Sequence, residues 1–398
     1  MSKTLHPVDE VVDELLTRAR ATQQIMTVSL GDALGKYIAQ DIRSPVFVPP
    51  ATNSAMDGYA VLLDSISVGE TYEISDRIPA GSVGKTLAPG TVARIFTGAP
   101  MPEGADSVVI QEDTSLDGDK VRFNELPVLG ENVRPKGQDI SKDDIVLEAG
   151  HRLRSQDLGL IASVGISEVQ VFKPLTISIM STGDELVEPP GELRPGQIYN
   201  SNRYALAGLV RGLGMEVLDL GLVADTPEAT RDALKRGALE SDCILSTGGI
   251  SVGEEDYVRE AVESLGSLDI WRLAIKPGKP LAFGNVDGTP LFGLPGNPVS
   301  TFVTFVVIAS PYLVAAQGGS MPRPRVHHGI ADFEFKAGGR REYLRVRVAA
   351  SETGEMRLTM FENQGSGIMS SVSWADALAE AEIGQQITPG DKIKYYLI

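Results

Sequence analysis

The sequence predicts an α/β and β multidomain protein, and three observations carry that prediction. At 398 residues the chain exceeds what one ordinary core organises, which points to about two to four domains. From Pro174 to residue 316, short apolar runs alternate with amphipathic helical stretches, the pattern of a doubly wound α/β domain. On either side, over 51–140 and beyond Gly318-Gly319, the pattern changes to short alternating strands broken by Gly and Pro. These read as a β-rich second domain and a small terminal barrel or sandwich. Hydrophobic content of 42% and charged content of 22% are those of a globular chain, and a net charge of −17 lacks the basic footprint of nonspecific nucleic-acid binding.

In chain order, residues 8–22 place Val8, Val11, Val12, Leu15, Leu16 and Ala19 on one helical face, an amphipathic packing helix. Residues 27–39 read as a second short helical unit, and Ser44-Pro-Val-Phe-Val-Pro-Pro50 as a proline-stiffened connector at a boundary. The β-rich stretch has strands at 91–95 and 107–111. Its Gly81-Ser-Val-Gly-Lys-Thr86 is no phosphate loop, because Pro79 stands where the first glycine is required. A helix at 157–164 and a strand at 166–172 lead into the α/β stretch. There the predicted strands are 175–180, 216–221, 243–245, 270–274, 281–283 and 291–293, and the predicted helices 203–213, 227–240, 256–265 and 298–316.

Residues 299–316 are apolar over a length that raises a membrane span, but Ser300, Thr301, Thr304, Ser310 and Pro311 interrupt them, and they read as a buried helix. Terminal strands fall at 333–335, 342–348, 356–361 and 392–397, and His327-His328 reads as solvated linker histidines with no third His nearby. The lone Cys243 reads as a core residue that cannot form an internal disulfide. With no charged-then-apolar leader over 1–10, the expectation is a reduced, cytoplasmic protein with no membrane partner.

The chemistry concentrates where strands end. Ile244-Leu-Ser-Thr-Gly-Gly-Ile-Ser-Val-Gly-Glu-Glu-Asp-Tyr257 runs from a strand through Gly248, Gly249 and Gly253 into the carboxylates Glu254, Glu255 and Asp256. Glycines let a ligand approach backbone N–H groups that receive an anion, and carboxylates beside that anion make sense with a divalent cation between them. Ile177-Ser-Ile-Met-Ser-Thr-Gly-Asp-Glu-Leu186 repeats the device. Either loop alone is an ordinary turn with a capping acid, whereas two facing one crevice beyond the carboxyl ends of a parallel sheet point to a site. Lys276 and Lys279 flank a Pro-Gly turn suited to phosphate or a tetrahedral oxyanion. Asp225 with Glu228 also fits a capping box, and Asp57-Gly58 and Thr97-Gly98 also fit hairpin turns.

Together, Asn53-Ser-Ala-Met-Asp-Gly-Tyr59, Thr97-Gly-Ala99, Ser181-Thr-Gly-Asp-Glu185, residues 246–257, Lys276-Pro-Gly-Lys279 and Gly293-Leu-Pro-Gly-Asn-Pro-Val-Ser300 resemble the molybdopterin molybdenumtransferases, called MoeA in bacteria and represented by the E domain of gephyrin. The resemblance spans nearly the whole chain. It implies a small N-terminal α/β linker domain (1–50 and 141–173), a β-rich domain (51–140), a doubly wound α/β molybdopterin-binding domain (174–318) and a C-terminal β-barrel (319–398). It further implies an elongated homodimer, with the cleft between the α/β domain of one subunit and the β-rich domain of the other. There adenylylated molybdopterin and molybdate, with Mg²⁺, give molybdenum cofactor and AMP. Molybdopterin adenylyltransferase and apo-molybdoenzymes are the further partners it implies.

Carried over by position, the resemblance makes Glu185, Asp225, Asp256, Lys276 and Asp57 catalytic, with Glu185 and Asp256 holding Mg²⁺. Substrate contacts fall to Thr97, Asp139, Ser181, Thr182, Gly183, Gly248, Gly249, Ser251, Arg272, Lys279, Pro295, Arg345 and Ser366. Lys276 is assigned to the pterin nucleotide, and Arg345 and Ser366 to a separate oxyanion contact. Arg272 stands where relatives carry Lys, and residues 374–382 lack the apolar Asn-Gly ending of the family. Two rivals are a molybdopterin adenylyltransferase, which shares the α/β domain, and a non-catalytic scaffold like gephyrin. Asp57, Thr97 and Asp139 favour the transferase, because a lone α/β domain has no counterpart for them.

Overall fold

The computed structural model describes residues 5–248 and 257–398. At its centre a six-stranded sheet runs, edge to edge, Glu216–Val223, Thr176–Thr182, Cys243–Thr247, Thr289–Leu294, Pro280–Val286 and Gly266–Arg272. The first four strands are parallel, and Pro280–Val286 is antiparallel to both of its neighbours. Central strands of this kind are covered on both faces, so they read as near-continuous apolar runs. Ile177, Ile179 and Leu245 face Ser201–Gly212 and Pro298–Ala316, while Met180, Ile244 and Leu291 face Pro227–Glu240 and Tyr257–Leu265. The doubly wound prediction therefore holds.

Helix Pro227–Glu240 starts where predicted, but its cap is Thr226, whose Oγ1 accepts the Ala229 N–H at 3.3 Å. The capping box expected of Asp225 with Glu228 is displaced by one residue, since the residue just before Pro227 already supplies the acceptor. Pro298–Ala316 is long and apolar enough to cross a membrane, and 78% of that stretch is buried against the sheet, which makes it a core helix.

The N-terminal helix, Val8–Arg18, is shorter than predicted. Beyond it the backbone is extended from Ala19, and the Thr22 N–H bonds the Ala316 carbonyl at 2.8 Å. Its buried Val8, Val11, Val12 and Leu15 pack into the core of the central sheet, while the resemblance places residues 1–50 in the linker domain. Residues 27–39 are not the helical unit expected. Ile25–Ser29 is a strand paired with Glu168–Phe172, followed by a single 3-10 turn at Leu30–Asp32. β-Branched Ile25, Thr27 and Val28 suit a pleated strand, and Gly31 and Gly35 weaken helix propagation.

Helix Ser155–Ser163 completes this region. At its start the buried Asp157 carboxylate accepts the Arg154 N–H at 2.8 Å, the Arg154 guanidinium at 2.9 Å and His151 Nε2 at 2.8 Å. The Arg154 guanidinium, with His151 adding to it, holds the Asp157 carboxyl far below the usual aspartate range. A lowered carboxyl pKa stabilises the fold above the unfolded value of about 3.9, and that contribution is lost as pH falls through the native value. Asp157→Asn is expected to cost about 1.5–3 kcal/mol at neutral pH. Urea midpoints measured against pH should show the gap to the unmodified protein closing only below about pH 4.

Between the two halves of the N-terminal region the chain crosses into the β-rich part and back. The two crossings pair antiparallel, Ile42-Arg43 with Ile145–Leu147, and a single bridge joins Val48 to Ile140. The inserted part is one mixed sheet, Ser107–Ile110, Gly58–Val61, Thr91–Ile95, Thr71–Ile78, Lys120–Phe123 and Thr114–Asp117 in order, with a cluster around Val61, Val92 and Phe123 on one face and around Ala60, Ile78 and Ile95 on the other.

The C-terminal strands settle the choice between sandwich and barrel. Arg341–Ala350, Met356–Met360, His327–Ala331, Lys392–Leu397 and Ala377–Ala381 pair in a ring, and the last closes on the first. Small Ala377, Ala379 and Ala381 fill a narrow interior with Leu344, Val346 and Leu358. His327 and His328 are not linker residues: they begin a barrel strand, and the His327 ring stacks on Tyr395 with centroids 5.3 Å apart.

Candidate active site

A cavity of about 520 Å³ lies at the carboxyl ends of the central parallel strands, where open α/β sheets bind ligands. Gly248 follows Cys243–Thr247, Leu294, Pro295, Gly296 and Asn297 follow the neighbouring strand, and Ser300 projects from the start of the buried helix. The Lys276-Pro277-Gly278-Lys279 loop forms one side, and Arg340, Gln364, Gly365 and Ser366 of the barrel region form the other. Gly248 has φ +84°, and a Cβ there would sit 2.7 Å from the Thr182 carbonyl, so the two strand-end loops touch and only glycine fits. Thr301 Oγ1 donates to the Pro295 carbonyl, and the Val299 N–H bonds the Ser366 carbonyl at 3.0 Å, which ties both walls to one helix start.

The two sides are stitched by a short ladder. Ile275–Lys276 runs parallel to the head of Arg341–Ala350, with Ile275 opposite Arg341 and Lys276 opposite Glu342. The Lys276 ammonium, half exposed, lies 3.0 Å from the buried Glu342 carboxylate. The Arg340 guanidinium donates to the Ile275 carbonyl at 3.1 Å. Three cations, Lys276, Lys279 and Arg340, thus face one cavity.

Arg345 does not reach that cavity. It is 1% exposed, and it donates to Ser371 Oγ at 3.1 Å, the Tyr343 carbonyl at 3.0 Å and the Gly365 carbonyl at 3.4 Å. Burial pushes its pKa down to about 10, which still leaves it cationic at neutral pH. It therefore supports the Gly365-Ser366 wall from behind. Ser366 itself lines the cavity together with Lys276, so the separate oxyanion contact expected of Arg345 and Ser366 merges with the Lys276 site. Gln364 fastens the wall, accepting the Arg345 N–H at 2.9 Å and donating to the Arg345 carbonyl at 3.1 Å.

At the neighbouring strand end, Ser181 Oγ lies 3.1 Å from Thr247 Oγ1, and the Oγ1 of Thr182 is buried without a partner among the described residues. The Glu185 carboxylate folds over Gly183, its Oε2 2.6 Å from where a Cβ would stand. Glu185 is exposed, and among the described residues no side chain pairs with it. Asp225 sits in the loop before Thr226, half buried. Arg272 ends the Gly266–Arg272 strand opposite Pro280, outside the cavity wall. Gly249, Ser251 and Asp256, with Gly253, Glu254 and Glu255, lie outside the described residues.

In the β-rich region Asp57 Oδ1 accepts both the N–H and the hydroxyl of Thr97 at 2.8 Å. The Thr97 backbone bond first, then its hydroxyl, hold the Asp57 carboxyl below the usual range. Asp139 is exposed on a turn whose backbone N–H bonds the Val48 carbonyl at 2.9 Å. None of Asp57, Thr97 and Asp139 lines the cavity within one chain. Arg340 and Gln364 are wall residues that the sequence reading missed; only the pairing of Lys276 with Glu342 brings them there.

Three family profiles match in order: the MoeA N-terminal region (domain I and II) over 6–165, a probable molybdopterin binding domain over 178–315, and the MoeA C-terminal region (domain IV) over 330–398. A molybdopterin molybdenumtransferase of Haemophilus influenzae is 38% identical over 368 residues, 92% of this chain and 91% of the relative. The chain belongs to the molybdopterin molybdenumtransferase family. A molybdopterin molybdenumtransferase 2 of Mycobacterium tuberculosis is 36% identical over 81% of both chains. The crystal structure of a molybdopterin biosynthesis MoeA protein from Pyrococcus horikoshii aligns over 99% of this chain and 100% of its own, with TM-score 0.85 and 28% identity. Membership makes the chain a transferase of molybdenum cofactor biosynthesis. It fits neither the adenylyltransferase nor the scaffold, the two rivals raised by the sequence.

Proposed function

We propose that the chain inserts molybdate into adenylylated molybdopterin and releases AMP, in a cleft that a second copy completes. The observation that carries this reading is the convergence of Lys276, Lys279 and Arg340 on a cavity at the strand ends, beside Gly248 and Ser300. Two cations on one side and a third facing them from the other suit an oxyanion and the phosphates of a nucleotide, because charge-assisted hydrogen bonds are roughly twice as strong as neutral ones. Ser366 and Ser300 add hydroxyls that orient the oxyanion against the anhydride.

Glu185 and Asp256 would hold Mg²⁺. Glu185 fits that role, since its carboxylate is exposed and unengaged by described side chains. Among the described residues no three His, Cys, Asp or Glu side chains gather into a cage, and Mg²⁺ needs none, binding through one or two carboxylates plus phosphates. When bound it would neutralise the anhydride oxygens. Lys276 and Lys279 hold the anion, and Asp57, fixed as a carboxylate by Thr97, would meet the ligand from the partner.

Purified protein incubated with adenylylated molybdopterin, Mg²⁺ and molybdate is expected to release AMP, and no release would refute the proposal. The shared cleft has its own check. Asp57→Ala and Lys276→Ala homodimers should both be nearly inactive, while a mixture that exchanges subunits recovers about half of one normal dimer's activity per heterodimer, because one of its two clefts is intact. No recovery from isolated heterodimers would show that each chain works alone.

A further inference from the structure

We propose that Glu342 is a positioning residue for the oxyanion, acting through Lys276; this rests on reading the cavity as the molybdate site. The two residues are opposite one another in the parallel ladder that joins the α/β and barrel regions. Their side chains meet at 3.0 Å, Glu342 only 6% exposed and Lys276 50% exposed. The carboxylate is fixed on its other oxygen as well, where Glu342 Oε1 accepts the Gly338 N–H at 3.0 Å. Its strand is held on the far side by Ala377–Ala381, with Glu342 opposite Ala381.

A lysine ammonium is a point charge on a four-carbon stem, and ordering it when ligand arrives subtracts from affinity. Glu342 orders it beforehand. The ammonium has three donors, so it can keep the carboxylate and still offer hydrogens to an anion. Glu342 is not a wall residue, which puts its negative charge behind the ammonium and out of the cavity. Being buried and doubly bonded, it cannot swing away to compete with the ligand. Arg345 also feels the field of Glu342, yet its guanidinium bonds Ser371, Tyr343 and Gly365 instead.

The test is a double-mutant cycle on the full-length protein: Glu342→Gln, Lys276→Ala and both together. It is read as the molybdate KM of AMP release and as calorimetric binding of molybdate alone. Gln keeps an oxygen for the Gly338 N–H but turns an amide toward the ammonium. Glu342→Gln is expected to raise the molybdate KM and Kd about tenfold with kcat changed by less than about twofold, and to leave the molybdate Kd unchanged once Lys276 is Ala. In that background Glu342→Gln should raise Tm, because Lys276→Ala alone leaves a buried carboxylate unpaired. An equal fold-change in both backgrounds, or a lowered KM, would overturn the proposal. Should Gln prevent folding, Glu342→Asp keeps the charge one methylene short. It should raise the molybdate Kd by a smaller factor with Lys276 present and by none without it, and no rise with Lys276 present would also overturn the idea. Failure of the unmodified protein to bind molybdate would remove the oxyanion reading itself, whereas normal binding with additive variants would remove only the role of Glu342.

Discussion

Glu185→Ala is expected to lower Mg²⁺-dependent AMP release by about a thousandfold or more, because several kcal/mol of charge neutralisation at the anhydride go with the metal. Stability should change by less than about 0.5 kcal/mol, since an exposed loop carboxylate that no described side chain engages adds little to a core. Asp256→Ala should behave alike. A mere capping role predicts the reverse, about 0.5–2 kcal/mol of lost stability with turnover intact. Turnover titrated against Mg²⁺, alongside urea unfolding of each variant, separates the two. Normal turnover in both variants would remove these carboxylates from the mechanism.

Arg345→Ala is expected to cost about 3–5 kcal/mol, the range for emptying a large core position, with the Tyr343 and Gly365 carbonyls left short of a donor. The Gly365-Ser366 wall loses its backing, so the molybdate KM should rise as well. Arg345→Met fills the volume without burying a charge and should regain much of the stability. It should not regain the molybdate KM, because no donor then holds Gly365. Urea unfolding and molybdate titration of the pair of variants check this. A normal KM in Arg345→Met would show that the wall stands without the guanidinium.

The doubly wound domain was legible because its signals are local. Pro227 marks a helix start, although its cap is Thr226 and not Asp225, and the apolar runs ending in Ser-Thr-Gly mark strand ends. Much of the site was legible for the same reason, since the Lys276-Pro277-Gly278-Lys279 loop and Gly248 do line one cavity. Arg340 and Gln364 were not, because a ladder between distant segments carries them there and no local period reports it. Ala377–Ala381 escaped notice because alanine favours helix, and only the closure of the barrel makes small side chains suit a strand. The resemblance gives Arg345 a ligand contact by position, whereas within one chain it is buried behind the cavity wall on three hydrogen bonds.

The way the β-rich part interrupts the N-terminal region has a consequence for the order in which a ribosome releases the chain. Every strand of the inserted sheet lies between Gly58 and Phe123, so that sheet can close while later segments are still being made. Ile25–Ser29 emerges before the inserted sheet yet must wait for Glu168–Phe172, and the helix Val8–Arg18, earlier still in the chain, must wait longer, for Pro298–Ala316. Segments made ahead of the inserted sheet are thus among the last to find their place, and the apolar face of Val8–Arg18 stays uncovered until the residues that pack on it have been made.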